Sequence, residues 1–236
     1  MTKPIILALQ NDETDPPHLA GLWLEELGFE IRVIRAHAGD EMPSTVPSGI
    51  AGVMPLGGHM GALDDHIADW LPAERALLSD AVARNIPIFA ICLGAQLLAE
   101  STGGSVGRAP IGEIGIYTID LNEEGAADSV LTVDSGAIVA QWHEDFVEVL
   151  PPAAVRLASS PLCPNQVYRI GSKTYAVQFH PEIDTSIIRN WEAHPDDAFN
   201  DSGKSTVEPE MAKAEAELAR IWKPVIQNWG KLVLSA

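Results

Sequence analysis

Four short apolar or β-branched runs are interleaved with helical patterns in the first hundred residues: "PIILALQ" (4–10), "EIRVIRA" (30–36), "GIAGVMPL" (49–56) and "IPIFAIC" (86–92). Strands joined by crossover helices run parallel, and such a sheet is covered on both faces. The first run is almost continuously apolar, as a strand buried on both sides requires. Between the runs, residues 18–27 carry Leu19, Leu22, Trp23 and Leu27 on one helical stripe that Gly28 stops, and 73–85 reads as a second helix. The predicted class is therefore α/β, with a mostly parallel central sheet flanked by helices.

The second half is richer in strands, predicted at 113–121, 136–143, 155–160, 166–171 and 173–180. The last two form an expected hairpin with Gly171-Ser172 at its tip, so antiparallel strands are added to the parallel set. A helix begins at Thr185, and the polar stretch 193–208 reads as a surface loop. Met211, Ala214, Leu218, Ile221, Val225 and Trp229 recur at helical spacing, which predicts a final helix docked on the sheet. Pro224 should kink or interrupt it. With no internal repeat and no linker, residues 1–236 are expected to form a single domain.

Lys and Arg total 15 against 33 Asp and Glu, a formal net charge of -18. Such a surface repels phosphate backbones and argues against a nucleic-acid partner. Two cysteines do not make a secreted disulfide framework. The N-terminal "MTKPIILALQND" reads as a first strand and not as a signal peptide, and no apolar run approaches the ~20 residues of a membrane span. A soluble, cytoplasmic protein is expected. No Walker loop, GxGxxG or zinc signature appears, so no cofactor or metal is expected.

"FAICLGAQLLAE" (89–100) sets Cys92 where a strand turns into a helix, with the small residues Ala90 and Gly94 two positions to either side. That is the pattern of a nucleophile elbow, whose crowded backbone demands small neighbours. A cysteine nucleophile needs a base, a group to orient the base, and donors for an oxyanion. In "QFHPE", His180 and Glu182 are two residues apart at an expected strand end, where period two would point both to one face. The Leu93 amide, first after the nucleophile, would be one oxyanion donor, and the Gly57-Gly58 loop would supply a second.

Together, "PLGGHMGALDD", "AICLGAQLLAESTGGSV", "EIG", "QWHEDFVEVLPPAAVRLASSPLCPNQVYRIG" and "YAVQFHPE" resemble the class I (triad) glutamine amidotransferases, in particular stand-alone proteins similar to the amidotransferase domain of GMP synthase. The resemblance runs from about Ile50 to Trp191. It implies a flavodoxin-like fold and hydrolysis of glutamine through a Cys92 thioester, with His180 as base, Glu182 as orienter, and the Gly58 and Leu93 amides holding the oxyanion. Gly57, Gln96, His143 and Asp145 would lie against the substrate, with Asp145 facing its α-ammonium group. No synthetase region is present in these residues, so ammonia would pass to a separate synthetase. The alternatives are a free-standing γ-glutamyl peptidase and a glutamine-binding regulator without turnover.

Two positions depart from the family pattern. Ala90 stands where many relatives have Gly, and His59 stands where the family usually has Pro, which would loosen or reshape the oxyanion loop or place a titratable group beside the site. Cys163 reads as a structural thiol. His59, Asp64, Asp65 and His66 read as a solvated helix-start cluster, since their spacing matches no metal motif.

Overall fold

The computed structural model describes residues 2–194, 200 and 202–235. Strands β1 (Ile5–Gln10), β2 (Glu30–Arg35), β3 (Ile50–Pro55), β4 (Ile88–Ile91) and β9 (Thr174–Val177) lie in the order β2-β1-β3-β4-β9, every neighbouring pair parallel. The sheet continues through β8 (Val167–Ile170), β7 (Ala154–Ser159), β5 (Ser105–Leu121) and β6 (Ala137–Val149), all antiparallel to their neighbours. The result is one nine-stranded mixed sheet.

Period two along β1 sorts its side chains between two cores. Ile6 and Ala8 join the layer holding α1 (His18–Glu25), α5 (Thr185–Ala193) and α6 (Glu208–Leu234). Leu7 and Leu9 join the layer holding α2 (Leu71–Ala83) and α3 (Leu93–Ser101). All four side chains are at most 1% exposed, which explains why this run is apolar throughout. A short α4 (Glu123–Ala126) is capped by the Asn122 side chain. Among the described residues, no helix is long and apolar enough to cross a membrane.

Three elements differ from the sequence expectation. The strand expected at 113–121 begins at Ser105, and its partner runs to Val149 instead of ending at residue 143. Pro and Gly in "GRAPIG" read as breakers, yet the ribbon absorbs them at a register shift between Arg108 and Glu113. The strand expected to reach His180 stops at Val177, and its turn with β8 spans residues 171–173. Helix α6 continues through Pro224 without interruption, because Pro224 lies on the solvent side. Its buried face presents Trp222 and Trp229, both 0% exposed. Rings of that size bury roughly 150–250 Å², worth about 4–6 kcal/mol each at ~25 cal/mol per Å². Of the expected loop 193–208, residues 195–199 and 201 lie outside the described residues.

Strand order dictates where a site forms. Between β1 and β3 the chain departs to opposite faces of the sheet, leaving a crevice beyond the carboxyl ends of the strands. The loops after β1 (residues 11–17) and β3 (56–58), the start of α3 and the turn after β9 all meet there.

Two substitutions test this framework. A Cβ on Gly94 would lie 2.3 Å from the Pro55 carbonyl oxygen, a backbone atom that cannot step aside. Gly94→Ala is expected to destabilise by about 3 kcal/mol or more, read from urea denaturation. Pro224→Ala restores an exposed helical N–H and should raise the urea midpoint, by up to about 3 kcal/mol.

Candidate active site

Cys92 is the N-cap of α3 and adopts φ 50°, ψ -110°, a left-sided conformation that a side chain adopts only under strain. Such strain costs on the order of 1–3 kcal/mol and persists only where surroundings over-determine it. Here the Cys92 amide donates to Val177 O (2.9 Å) and the Gly94 amide to Leu56 O (3.1 Å). These bonds pin the turn between β9 and the end of β3. Leu93 occupies the first helical position, where an amide has no partner within its own helix. Ala90 is fully buried against the α2–α3 layer.

His180 and Glu182 meet, but not through strand period two, since both lie in the turn beyond β9. His180 Nδ1 is 2.8 Å from Glu182 Oε1, and the two residues are 3% and 1% exposed. The turn is held by the His180 amide on Ala140 O (2.9 Å) and by the Leu19 amide on Glu182 O (3.1 Å). Burial alone would depress the basicity of His180. The Glu182 carboxylate and the Cys92 sulfur outweigh it, holding the imidazole well above its ordinary range. An imidazole so placed holds a proton more readily than a free one and can exchange it with a nearby atom.

Gln178, the first residue of "QFHPE", is a site residue that the sequence reading misses. Its side-chain amide approaches the Cys92 sulfur at 3.7 Å, a donor aimed at the reactive atom. It shares the two-residue spacing of His180 and Glu182, which is the available signal.

Two cavities meet at Cys92. The larger, about 710 Å³, lies between residues 58–67 and the β5–β6 ribbon. Gln96, His143 and Asp145 line it. The Gln96 amide donates to Asp145 O at 2.9 Å, and His143 Nδ1 is also 2.9 Å from that oxygen, so both fix the Asp145 backbone. His143 Nε2 stands 3.4 Å from Glu113 Oε2. Asp64 and Arg108 also line this cavity, a placement the sequence does not announce. The Asp64 carboxylate accepts the Gly61 amide (2.8 Å), and a Cβ on Gly61 would lie 3.5 Å from Asp145 Oδ2. Two carboxylates thus flank Gly61. Burial raises the Asp145 carboxyl despite Arg108, and Asp64 adds to the rise.

The smaller cavity, about 290 Å³, lies on the His180 side and is shaped by the loop after β1 together with Trp142 and Trp191. Gly58 borders both cavities. Gly57 serves space: a Cβ there would lie 3.0 Å from His180 Cε1 and 3.3 Å from the Asp15 carboxyl.

His59 links two of the loops that meet at the crevice. Its Nδ1 pairs with Asp12 across the crevice, tying the β3 loop to the β1 loop. Burial pushes the Asp12 carboxyl up, but His59 and both Thr14 donors overcome it and bring it down to about 2. The expected helix-start cluster is dispersed over turns ahead of α2. Asp64 serves the Gly61 amide and Asp65 pairs with Arg75 (2.8 Å). Among the described residues no three candidate ligands gather as a metal site. Cys163 and Cys92 are both free thiols, and burial pushes Cys163 up to about 12.

Fold and site together define an α/β protein that presents a cysteine on a strained strand-to-helix turn beside a buried histidine–carboxylate pair. The glutamine amidotransferase class-I family model matches residues 23–189, and the chain belongs to that family. It is similar to the glutamine amidotransferase-like protein YfeJ of Salmonella typhimurium, 29% identical over 183 residues and 76% of each chain. One subunit of a GMP synthase (glutamine-hydrolyzing) from Thermococcus kodakarensis is 39% identical over 100 residues, 42% of this chain and 52% of that one. The match to a Clostridium botulinum GMP synthase spans only 19% of that protein. Among solved structures, a glutamine amido transferase from Methylobacillus flagellatus superposes with a TM-score of 0.84 at 27% identity, covering 98% of this chain and 95% of the other.

The electrostatics of the site can be read by titration. His180 binds its proton more tightly in the fold than in the unfolded chain. Its contribution to stability is therefore full below about pH 6.5 and lost as pH rises through its raised pKa. Glu182→Gln should return the imidazole toward the ordinary ~6.5 in an NMR titration. Asp12 has the opposite sign: its contribution is present above about pH 4 and lost as pH falls through about 2. The melting temperature of Asp12→Asn should accordingly fall less between those values than that of the wild type.

Proposed function

We propose that the chain hydrolyses γ-glutamyl amides, glutamine among them, through a thioester on Cys92. The observation that carries this reading is the junction of the strained Cys92 turn with the His180–Glu182 pair at the mouth of a cavity able to take an amino acid. In that cavity Asp145 and Asp64 would hold the α-ammonium group, and Arg108 would face the α-carboxylate. His180 takes the Cys92 thiol proton as the sulfur attacks the γ-carbonyl carbon, and the carbonyl electron pair moves onto an oxyanion received by the Gly58 and Leu93 amides. The C–N bond breaks as His180 gives its proton to the departing nitrogen. Water then attacks the thioester, His180 takes a proton from it, and the C–S bond breaks to release glutamate. Glu182 keeps the imidazole oriented throughout.

The Thermococcus kodakarensis relative is named as one subunit of a GMP synthase, which supports delivery of ammonia to a separate synthetase chain as one use of this chemistry. The test is glutamate release from glutamine and γ-glutamyl amides, followed by mass spectrometry. Cys92→Ala is expected to lose at least about 10⁴-fold in kcat/KM. Asp145→Asn should raise KM by about 10- to 100-fold, the worth of one hydrogen bond to a charged group. Saturable glutamine binding without any Cys92-dependent glutamate would replace this reading with that of a glutamine-binding regulator.

A further inference from the structure

Resting on that reading, a further question is why the leaving-group side of Cys92 is so roomy. The proton donor His180 lies on the side of the smaller cavity, so the amine departs there. Ammonia needs about the space of one water, ~30 Å³. The cavity offers about 290 Å³.

Its wall has a distinct chemistry. Two of the carboxylates in this region already have partners: Asp12 pairs with His59, and Glu182 with His180. Asp15 does not. It is 7% exposed and lines the cavity, and its Oδ1 is buried without a hydrogen-bond partner. Burial raises this carboxyl to about 7, against the pull of His180, because Asp12 and Glu182 add to the rise. No Lys or Arg lines the cavity among the described residues. The indoles of Trp142 and Trp191, packed against each other with centroids 5.2 Å apart, also line the cavity, and such rings suit both a methylene chain and a cation.

We propose that this cavity is a leaving-group subsite, and that the preferred substrates are γ-glutamyl amides whose amine portion carries a second, positively charged nitrogen. Asp15 receives that cation, which supplies the direct partner its side chain lacks among the described residues. The covalent steps are those given above, and the released product is the free amine in place of ammonia. A γ-glutamyl dipeptide would instead set its carboxylate against Asp15.

The experiment compares three amides of matched length with glutamine: N-(γ-glutamyl)-ethylenediamine, N-(γ-glutamyl)-propylamine and γ-glutamyl-β-alanine. The expected kcat/KM falls in that order, with at least tenfold between the cationic and the anionic amide. Asp15→Asn should reduce the cationic-to-neutral ratio to less than threefold. If glutamine is hydrolysed and the cationic amide is no better than the anionic one, the subsite is overturned while the glutaminase chemistry stands. If no amide is turned over, that chemistry fails, and calorimetric binding of the three amides to Cys92→Ala decides the subsite separately. Tighter binding of the cationic amide would uphold it, and equal binding would overturn it.

Discussion

The strained turn at Cys92 is pinned at both of its ends by backbone hydrogen bonds. Its own amide reaches Val177 and the Gly94 amide reaches Leu56, so the cysteine is clamped between the ends of two strands that lie far apart along the chain. Helix α3 can approach that closely only because Gly94 has no Cβ to meet the Pro55 carbonyl. Once the turn is pinned, the sulfur stands at the carboxyl edge of the sheet and the first helical amide is left unbonded beside it. Every other feature of the site is arranged around that fixed point. Because backbone holds the turn, the side chains around it are free to serve the chemistry.

Around this point the fold gathers segments that are distant along the chain. The loop after β1 brings Asp12 and Asp15, the loop after β3 brings Gly57, Gly58 and His59, and the turn after β9 brings Gln178, His180 and Glu182. The β5–β6 ribbon, reaching beyond the sheet core, walls the larger cavity with Arg108 and Asp145. The topological switch between β1 and β3 explains why these loops diverge enough to leave a crevice. The His59–Asp12 pair then spans that crevice and ties the loop after β3 to the loop after β1.

Electrostatics divide the two sides of the nucleophile. Glu182 and His180 form a buried pair, and Glu182 together with the Cys92 sulfur outweighs the desolvation of the imidazole and raises its basicity. On the same side Asp15 stays buried with an unsatisfied oxygen. On the other, Asp64 and Asp145 stand close enough to repel, and Asp145 is raised in consequence of burial first and that repulsion after. A buried carboxyl lacking a cation is costly, and sites that keep one are commonly built to receive a charge from a ligand.

The order of strands and helices in the first hundred residues is legible because burial on two faces leaves a local trace: apolar runs for strands, stripes at 3.6 for helices. Cys92, His180, Glu182 and Asp145 are legible through motifs that resemble a family. The long β5–β6 ribbon is not, since Gly and Pro in "GRAPIG" signal a break locally, and only pairing with β6 overrides it. Nor does strand period two explain the pairing of His180 with Glu182; a turn fixed by Ala140 and Leu19 creates it. Asp64 and Asp15 read as ordinary polar residues, and His59 reads as a departure where the fold pairs it with Asp12. By itself the sequence determined most of the elements and the placing of Cys92 where a strand turns into a helix. The tertiary structure alone decided which carboxylates find a counter-charge, because that depends on neighbours brought from other strands into a medium where solvent no longer screens them.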